Sequence, residues 1–88
     1  MKWTVRLSRG AAKQLERASD DQQELLFKRL DELAEDPFRG DVKPLKGPKW
    51  HGRYRKRAGR WRIIFTATYP QRLVEVSAIL LRSEKTYR

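Results

Sequence analysis

The C-terminal half of the chain contains three alternating segments that follow one another with only two residues between them. The segments cover residues 53–58, 61–69 and 72–80, and the separating pairs are Gly59-Arg60 and Pro70-Gln71. Alternation with a period of two is typical of β-strands, and short pairs containing Gly or Pro are typical of hairpin turns. The pattern predicts three consecutive antiparallel strands, so the fold must contain an antiparallel sheet.

Each predicted strand has a face suited to a core. In the second and third segments the apolar faces consist of Trp61, Ile63, Phe65 and Ala67, and of Val74, Val76, Ala78 and Leu80. In the first segment the same alternation turns Tyr54 and Lys56 toward the core. Because a lysine is costly to bury, we expect Lys56 to lie at an edge or to extend its amine to water.

The N-terminal half is predicted to form one strand and two helices. Residues 2–8 alternate as a strand does, and Ser8 can cap a short helix that ends near Ser19. A second helix is predicted from Asp20, with Gln23 at the capping-box position, until Asp36-Pro37 ends it. Its inward face is expected to comprise Leu26, Leu30 and Leu33, flanked by Phe27 and Ala34.

These elements define one small domain over residues 1–88. We expect an α+β fold in which a small, mainly antiparallel sheet packs against an N-terminal helix hairpin, in the order β-α-α-β-β-β. Residues 38–52 are rich in Pro and Gly and are predicted to form a long functional loop.

Several classes of protein are disfavoured by composition. The chain has no cysteine and a single histidine, His51, so we expect neither a metal centre nor another cofactor. No apolar stretch approaches the ~20 residues needed to cross a bilayer, and the N-terminus does not resemble a signal peptide. We therefore expect a cytoplasmic protein that does not associate with membranes.

Charge is concentrated in one half of the chain. Residues 1–42 hold 8 basic and 9 acidic residues, whereas residues 43–88 hold 13 and 2. Between Lys43 and Arg62 there are nine Lys or Arg residues and no Asp or Glu, with Trp50, Tyr54 and Trp61 among them. Concentrated cations with aromatic rings favour binding of a polyanion, most simply RNA or DNA.

Alternation also predicts which cations act together. Arg53, Arg55 and Arg57 share one strand face, and Arg62 can join them across the hairpin. Like charges at such close range destabilise a sheet, so an anionic ligand explains them better than folding does. The further candidates for RNA contact are Lys46, Lys49, Trp50 and Arg57.

Parts of this sequence resemble the RelE/ParE superfamily of bacterial toxins. The resemblance covers the order of elements, the run Leu45-Lys46-Gly47, the segment 54–65 and the pair Arg82 and Tyr87. It implies, for the RelE-like branch, a ribosome-dependent endoribonuclease that cuts mRNA, inhibits translation and is neutralised by a cognate antitoxin. The expected partners are therefore that antitoxin, the ribosome and mRNA.

The resemblance also implies roles by position. Arg53 and Arg55 fall where RelE-like enzymes often have lysines, and Arg62 matches an arginine that clamps the scissile phosphate. Arg82 matches a further phosphate-stabilising arginine, and Tyr87 matches a tyrosine that stacks on a base. The spacing from Arg82 to Tyr87 differs by about one residue from that of many members.

The general base is left open by these assignments, because arginine remains protonated at any useful pH. His51 and Glu75 are the candidates, and either can also be structural; Asp41 is interpreted as a linker residue. Two other functions remain as alternatives to the nuclease. One is a ParE-like toxin that inhibits DNA gyrase, and the other is a non-catalytic module that binds nucleic acid or an antitoxin. The joint presence of Arg53, Arg55, Arg62, Arg82 and Tyr87 favours the nuclease.

Overall fold

The computed structural model describes residues 3–81. Its elements are β1 (Thr4–Leu7), α1 (Arg9–Arg17), α2 (Asp20–Glu35), β2 (Val42–Pro44), a 3-10 turn (Pro48–Trp50), β3 (Tyr54–Ala58), β4 (Trp61–Thr68) and β5 (Leu73–Leu81). The predicted α+β class and the order of the helices and main strands are confirmed. Arg82 and Tyr87 lie outside the described residues.

The five strands form one sheet in the order β1-β5-β4-β3-β2. β1 pairs with β5 in parallel, and the other three pairings are antiparallel. The two predicted hairpins are the β3–β4 and β4–β5 pairs. The interpretation of residues 38–52 as a loop is only partly correct, because β2 and the 3-10 turn lie within it. β2 is an edge strand containing Pro44, a position where the missing N–H of proline is tolerated.

Both helices begin with a serine cap. Ser8 caps α1 as predicted, and its hydroxyl accepts a hydrogen bond from the Ala11 N–H at 3.1 Å. The predicted cap of α2 is wrong by one residue, because the capping box is formed by Ser19 and Gln22. Ser19 is preferred since it has the extended backbone of a cap, whereas Asp20 already lies in the first helical turn and adds a favourable charge there.

The core lies between the helices and one face of the sheet. α1 packs against β5, and α2 packs against β1 and β3. Leu26, Leu30 and Leu33 are buried as predicted, but Phe27 is 52% exposed and does not extend the inward face. Each fully buried leucine contributes about 1.5–3 kcal/mol of transfer free energy, so these three anchor α2 to the sheet.

A β-bulge in β5 changes which of its residues enter the core. Ile64 pairs with Ala78 and Phe65 pairs with Val76, which leaves Ser77 as an extra residue. Beyond the bulge the alternation is shifted by one, so Ile79 is fully buried. The prediction that Ala78 and Leu80 share the core face with Val74 and Val76 is therefore wrong.

Candidate nucleic-acid interface on the open face of the sheet

The sheet face opposite the helices, which we call the open face, carries four of the predicted site residues. Arg55 lies opposite Lys43 of β2 and Ile64 of β4, and Arg57 lies opposite Arg62. Arg53, immediately before β3, lines a cleft on the same face. The grouping of Arg53, Arg55, Arg57 and Arg62 predicted from alternation is thus the one observed.

Asp41 partly neutralises the β2 edge of this face. Its carboxylate lies 3.8 Å from Arg55 Nη1 and 3.4 Å from Arg57 Nε, and its carbonyl oxygen accepts a hydrogen bond from the Arg57 N–H. Asp41 lies in the linker between α2 and β2, as interpreted, and in addition forms these ion pairs. Arg55 Nη1 is buried and has no hydrogen-bond partner among residues 3–81, since the 3.8 Å to Asp41 exceeds hydrogen-bonding distance. The carboxylate reduces the repulsion between the two arginines without fully satisfying Arg55.

Arg62 is held close to the β3–β4 turn. Its side chain is largely buried, with 3% exposure, and Nη1 donates to the carbonyl oxygens of Gly59 at 3.3 Å and Trp61 at 3.1 Å. These bonds fix the guanidinium at the end of the open face. Whether it also contacts a phosphate remains a prediction from the resemblance.

A cleft of about 310 Å³ lies at the other end of the open face. Its polar residues include one row across the sheet, formed by Arg6, Glu75, Thr66 and Arg53. Ser8 and Ser77 lie at one side, where the Ser8 hydroxyl donates to the Ser77 carbonyl at 3.0 Å. Arg6 was not among the predicted site residues, because only the parallel pairing of β1 with β5 brings it beside Glu75.

The loop candidates lie beside β3 and outside this cleft. Lys46, Lys49 and His51 are exposed, and Trp50 is half-buried at the end of the 3-10 turn. The Arg53 N–H donates to the Trp50 carbonyl at 2.9 Å, which ties the turn to the start of β3. His51 does not line the cleft that contains Arg53 and Glu75.

The opposite side of β3 explains how Asp41 is positioned. Lys56 is 1% exposed, and its ammonium donates to the Arg39 carbonyl at 2.9 Å and pairs with Glu32 at 3.1 Å. The prediction that Lys56 lies at an edge or reaches water is wrong, because a carboxylate of α2 meets it inside the fold. The bond to Arg39 anchors the segment that leads into Asp41.

Glu32 has a second cationic neighbour, Arg29, at 2.7 Å. Burial raises the pKa of the Glu32 carboxyl, but the hydrogen bond and charge of Lys56 and the charge and hydrogen bond of Arg29 lower it more, so the net pKa lies below its usual value. Glu32 therefore remains ionised and compensates the buried ammonium.

The described part of the chain contains no group of three or more His, Asp or Glu side chains placed to hold a metal ion. No helix within residues 3–81 is long and apolar enough to cross a membrane.

Comparison with known proteins identifies the family to which the chain belongs. The family model described as the ParE toxin of the type II toxin-antitoxin system, parDE, matches residues 5–86. The chain therefore belongs to this toxin family, which lies within the RelE/ParE superfamily. No curated protein sequence matches the chain.

Solved structures of three toxins share the fold. The chain is similar to the RelBE2 toxin-antitoxin complex from Mycobacterium tuberculosis, with a TM-score of 0.81, 20% identity, and coverage of 93% of this chain and 100% of that one. The archaeal RelE-RelB complex from Pyrococcus horikoshii has a TM-score of 0.80 and 20% identity, and the match covers 96% of this chain and 99% of that one. The YoeB/ParE toxin from Agrobacterium tumefaciens has a TM-score of 0.78 and 17% identity, and the match covers 91% of this chain and 99% of that one.

Proposed function

We propose that this toxin is a ribosome-dependent endoribonuclease that cuts mRNA and thereby inhibits translation in the cytoplasm. The observation that supports this most is the cleft on the open face, where Arg6 and Arg53 lie on either side of Glu75. Neither arginine forms an ion pair with a carboxylate of residues 3–81, so both guanidiniums can bind phosphate oxygens. A cationic cleft beside a proton acceptor is suited to RNA cleavage by the 2′-hydroxyl.

The small size of the cleft supports the proposed dependence on the ribosome. A cleft of about 310 Å³ on an exposed sheet face can contact only a short stretch of RNA and would not by itself fix the path of a flexible strand. Orientation of the reacting groups supplies a large part of many rate enhancements. In our proposal the ribosome holds the mRNA extended, and the open face supplies the charges.

The remaining predicted residues would extend this surface. Arg55, Arg57, Lys46 and Lys49 would contact phosphates along the strand, and Trp50 would stack on a base. The resemblance gives Arg62, Arg82 and Tyr87 roles at the scissile phosphate, but Arg62 is 3% exposed and does not line the cleft. Arg62 would therefore hold the β3–β4 turn. Arg82 and Tyr87 would keep the implied roles of stabilising phosphate charge and stacking on a base.

The proposed partner is a cognate antitoxin. The two complexes named above contain antitoxins, and a face with so few acidic residues is suited to an acidic antitoxin segment. Binding of such a segment would stabilise the toxin by mass action and would block RNA.

Inhibition of DNA gyrase is the second candidate. One observation favours it, namely that Arg55 and Arg62 are engaged inside the protein, with side-chain exposure of 17% for Arg55 and residue exposure of 3% for Arg62. Two of the arginines carried over from RelE-like enzymes thus do not extend freely from the face.

Toeprinting of mRNA on translating ribosomes tests the proposal directly. Added wild-type protein should produce new 3′ ends in the ribosomal A-site codon, and none on the same mRNA without ribosomes. Arg53→Ala should weaken cleavage, whereas Arg17→Ala, an exposed arginine in the last turn of α1, should have no effect. Intact mRNA together with loss of gyrase supercoiling activity would refute the nuclease and support the second candidate.

A further inference from the structure

The order of the four side chains across the cleft suggests that they have different roles in the reaction. Arg6 is the register partner of Glu75 in the parallel pair, and Thr66 is the partner of Glu75 in the antiparallel pair. Arg53 follows Thr66 in the row, since it precedes Tyr54, which lies opposite Phe65. A carboxylate and a hydroxyl therefore lie between two guanidiniums.

Glu75 differs from the other carboxylate of the open face. Asp41 is engaged with Arg55 and Arg57, whereas Glu75 is exposed and no side chain of residues 3–81 forms an ion pair or hydrogen bond with its carboxylate. Among residues 3–81, Glu75 is also the only acidic residue that lines the cleft. A solvated ion-pair partner, the ordinary role of a strand glutamate, is thus not what the geometry shows.

We propose that Glu75 is the general base of the RNA cleavage reaction, an inference that rests on the function proposed above. The Glu75 carboxylate accepts the proton of the 2′-hydroxyl as its oxygen forms a bond to the adjacent phosphorus. The bond from phosphorus to the 5′-oxygen breaks, and that oxygen takes a proton from water. The products are a 2′,3′-cyclic phosphate and a 5′-hydroxyl end, and no metal or other reactant is required.

The spacing of the row is compatible with this step. Neighbouring strands lie about 4.8 Å apart, which places the Cα atoms of Arg53 and Glu75 about 10 Å from each other. An arginine side chain spans more than half of that separation, so one phosphodiester group can contact both side chains. Arg6, one strand away on the other side, can bind a neighbouring phosphate. The two arginines stabilise phosphate charge and cannot themselves remove the proton.

His51, the other candidate base, lies outside the cleft that contains Arg53. In this proposal His51 contributes no proton transfer, and the substitution His51→Ala should leave cleavage within threefold of wild type.

The change in ribosome affinity caused by a substitution of Glu75 distinguishes a general base from a structural residue. Replacement of Glu75 by glutamine removes a negative charge close to RNA phosphates, so affinity for programmed ribosomes should stay equal or rise. The cleavage rate should fall by roughly 100-fold or more, the usual contribution of a general base. Loss of activity with retained or tighter binding is not expected from a residue that only positions the strand.

The experiment measures single-turnover cleavage of mRNA on programmed ribosomes, together with ribosome affinity and melting temperature. The proteins compared are wild type, Glu75→Gln, Glu75→Asp and the control Glu24→Gln, which lies on the exposed side of α2. We expect the large rate loss for Glu75→Gln only, partial activity for Glu75→Asp, and cyclic phosphate ends. Cleavage by Glu75→Gln within threefold of wild type, or parallel loss of rate and binding, would overturn the role of Glu75 while leaving the nuclease intact. An inactive wild type beside an active reference ribonuclease would instead refute the nuclease, and with it this inference.

Discussion

Removal of the carboxylate that faces the buried Lys56 should destabilise the protein measurably. In Glu32→Gln the ammonium would remain 1% exposed and would keep the Arg39 carbonyl as a partner, but would lose the carboxylate at 3.1 Å. Breaking a fully buried ion pair costs about 3–5 kcal/mol. The Glu32 side chain is 34% exposed, so solvent screening reduces the expected loss to about 1–2 kcal/mol.

Urea unfolding at pH 7 measures this loss. For a domain of this size, a loss of about 1–2 kcal/mol in the free energy of unfolding corresponds to a decrease of about 4–16 °C in melting temperature. Lys56→Met removes the charge itself and keeps an unbranched chain in the core, so it should be nearly neutral, and the double variant should be more stable than Glu32→Gln alone. The reasoning is refuted if Glu32→Gln unfolds within 0.5 kcal/mol of wild type, an order-of-magnitude limit for an ordinary surface change.

The pH dependence gives an independent check on the same pair. Because the pKa of Glu32 is lowered in the folded state from its usual 4.5, its stabilising contribution is fully present above that pH and is lost as the pH falls through the lower folded value. The stability difference between wild type and Glu32→Gln should therefore be constant from pH 6 to 8 and should decrease in acid. A difference that stays constant into strong acid would contradict the assigned ion pair.

Other substitutions test the open face and the helix cap. Asp41→Asn should strengthen RNA binding, since it frees two arginines, and should cost less than about 1 kcal/mol in stability, as measured by salt-dependent binding and urea unfolding. Arg53→Ala should lower the slope of log affinity against log salt by about one, and an unchanged slope would exclude a phosphate contact. Arg62→Ala should lower the melting temperature as well as activity, because its guanidinium bonds the β3–β4 turn. Ser19→Ala should cost about 1 kcal/mol in thermal unfolding, and Asp20→Ala should cost less.

The sequence predicted the elements that depend on local pattern. The arginine grouping on β3 and the pairing of Arg57 with Arg62 follow from alternation and from a two-residue turn, so both were predictable. The bulge at Ser77 was not, because one extra residue leaves no local signal in an otherwise apolar segment. β2 was missed since its Pro and flanking Gly residues indicate a loop equally well.

The site residues that sequence reasoning missed are those brought together over long range. Arg6 meets Glu75 only through the parallel pairing of the first and last strands of the sheet, and Glu32 meets Lys56 only because α2 lies over β3. Periodicity along the sequence can detect neither the register pairing of Arg6 with Glu75 nor the ion pair of Glu32 with Lys56. A charged residue in a predicted core position, as Lys56 was, is the signal that a partner of opposite charge must be sought on the element packed above it.

The two sides of β3 are coupled through one short segment. On the core side Lys56 binds the carbonyl of Arg39, and on the open side Asp41, two residues later, pairs with Arg55 and Arg57. Gly40 between them has a φ of 83°, and a Cβ there would lie 3.2 Å from Lys56 Nζ, so a side chain at this position would be strained and crowded. The buried lysine thus does more than fill the core, because it anchors the segment whose carboxylate pairs with Arg55 and Arg57 of the open face.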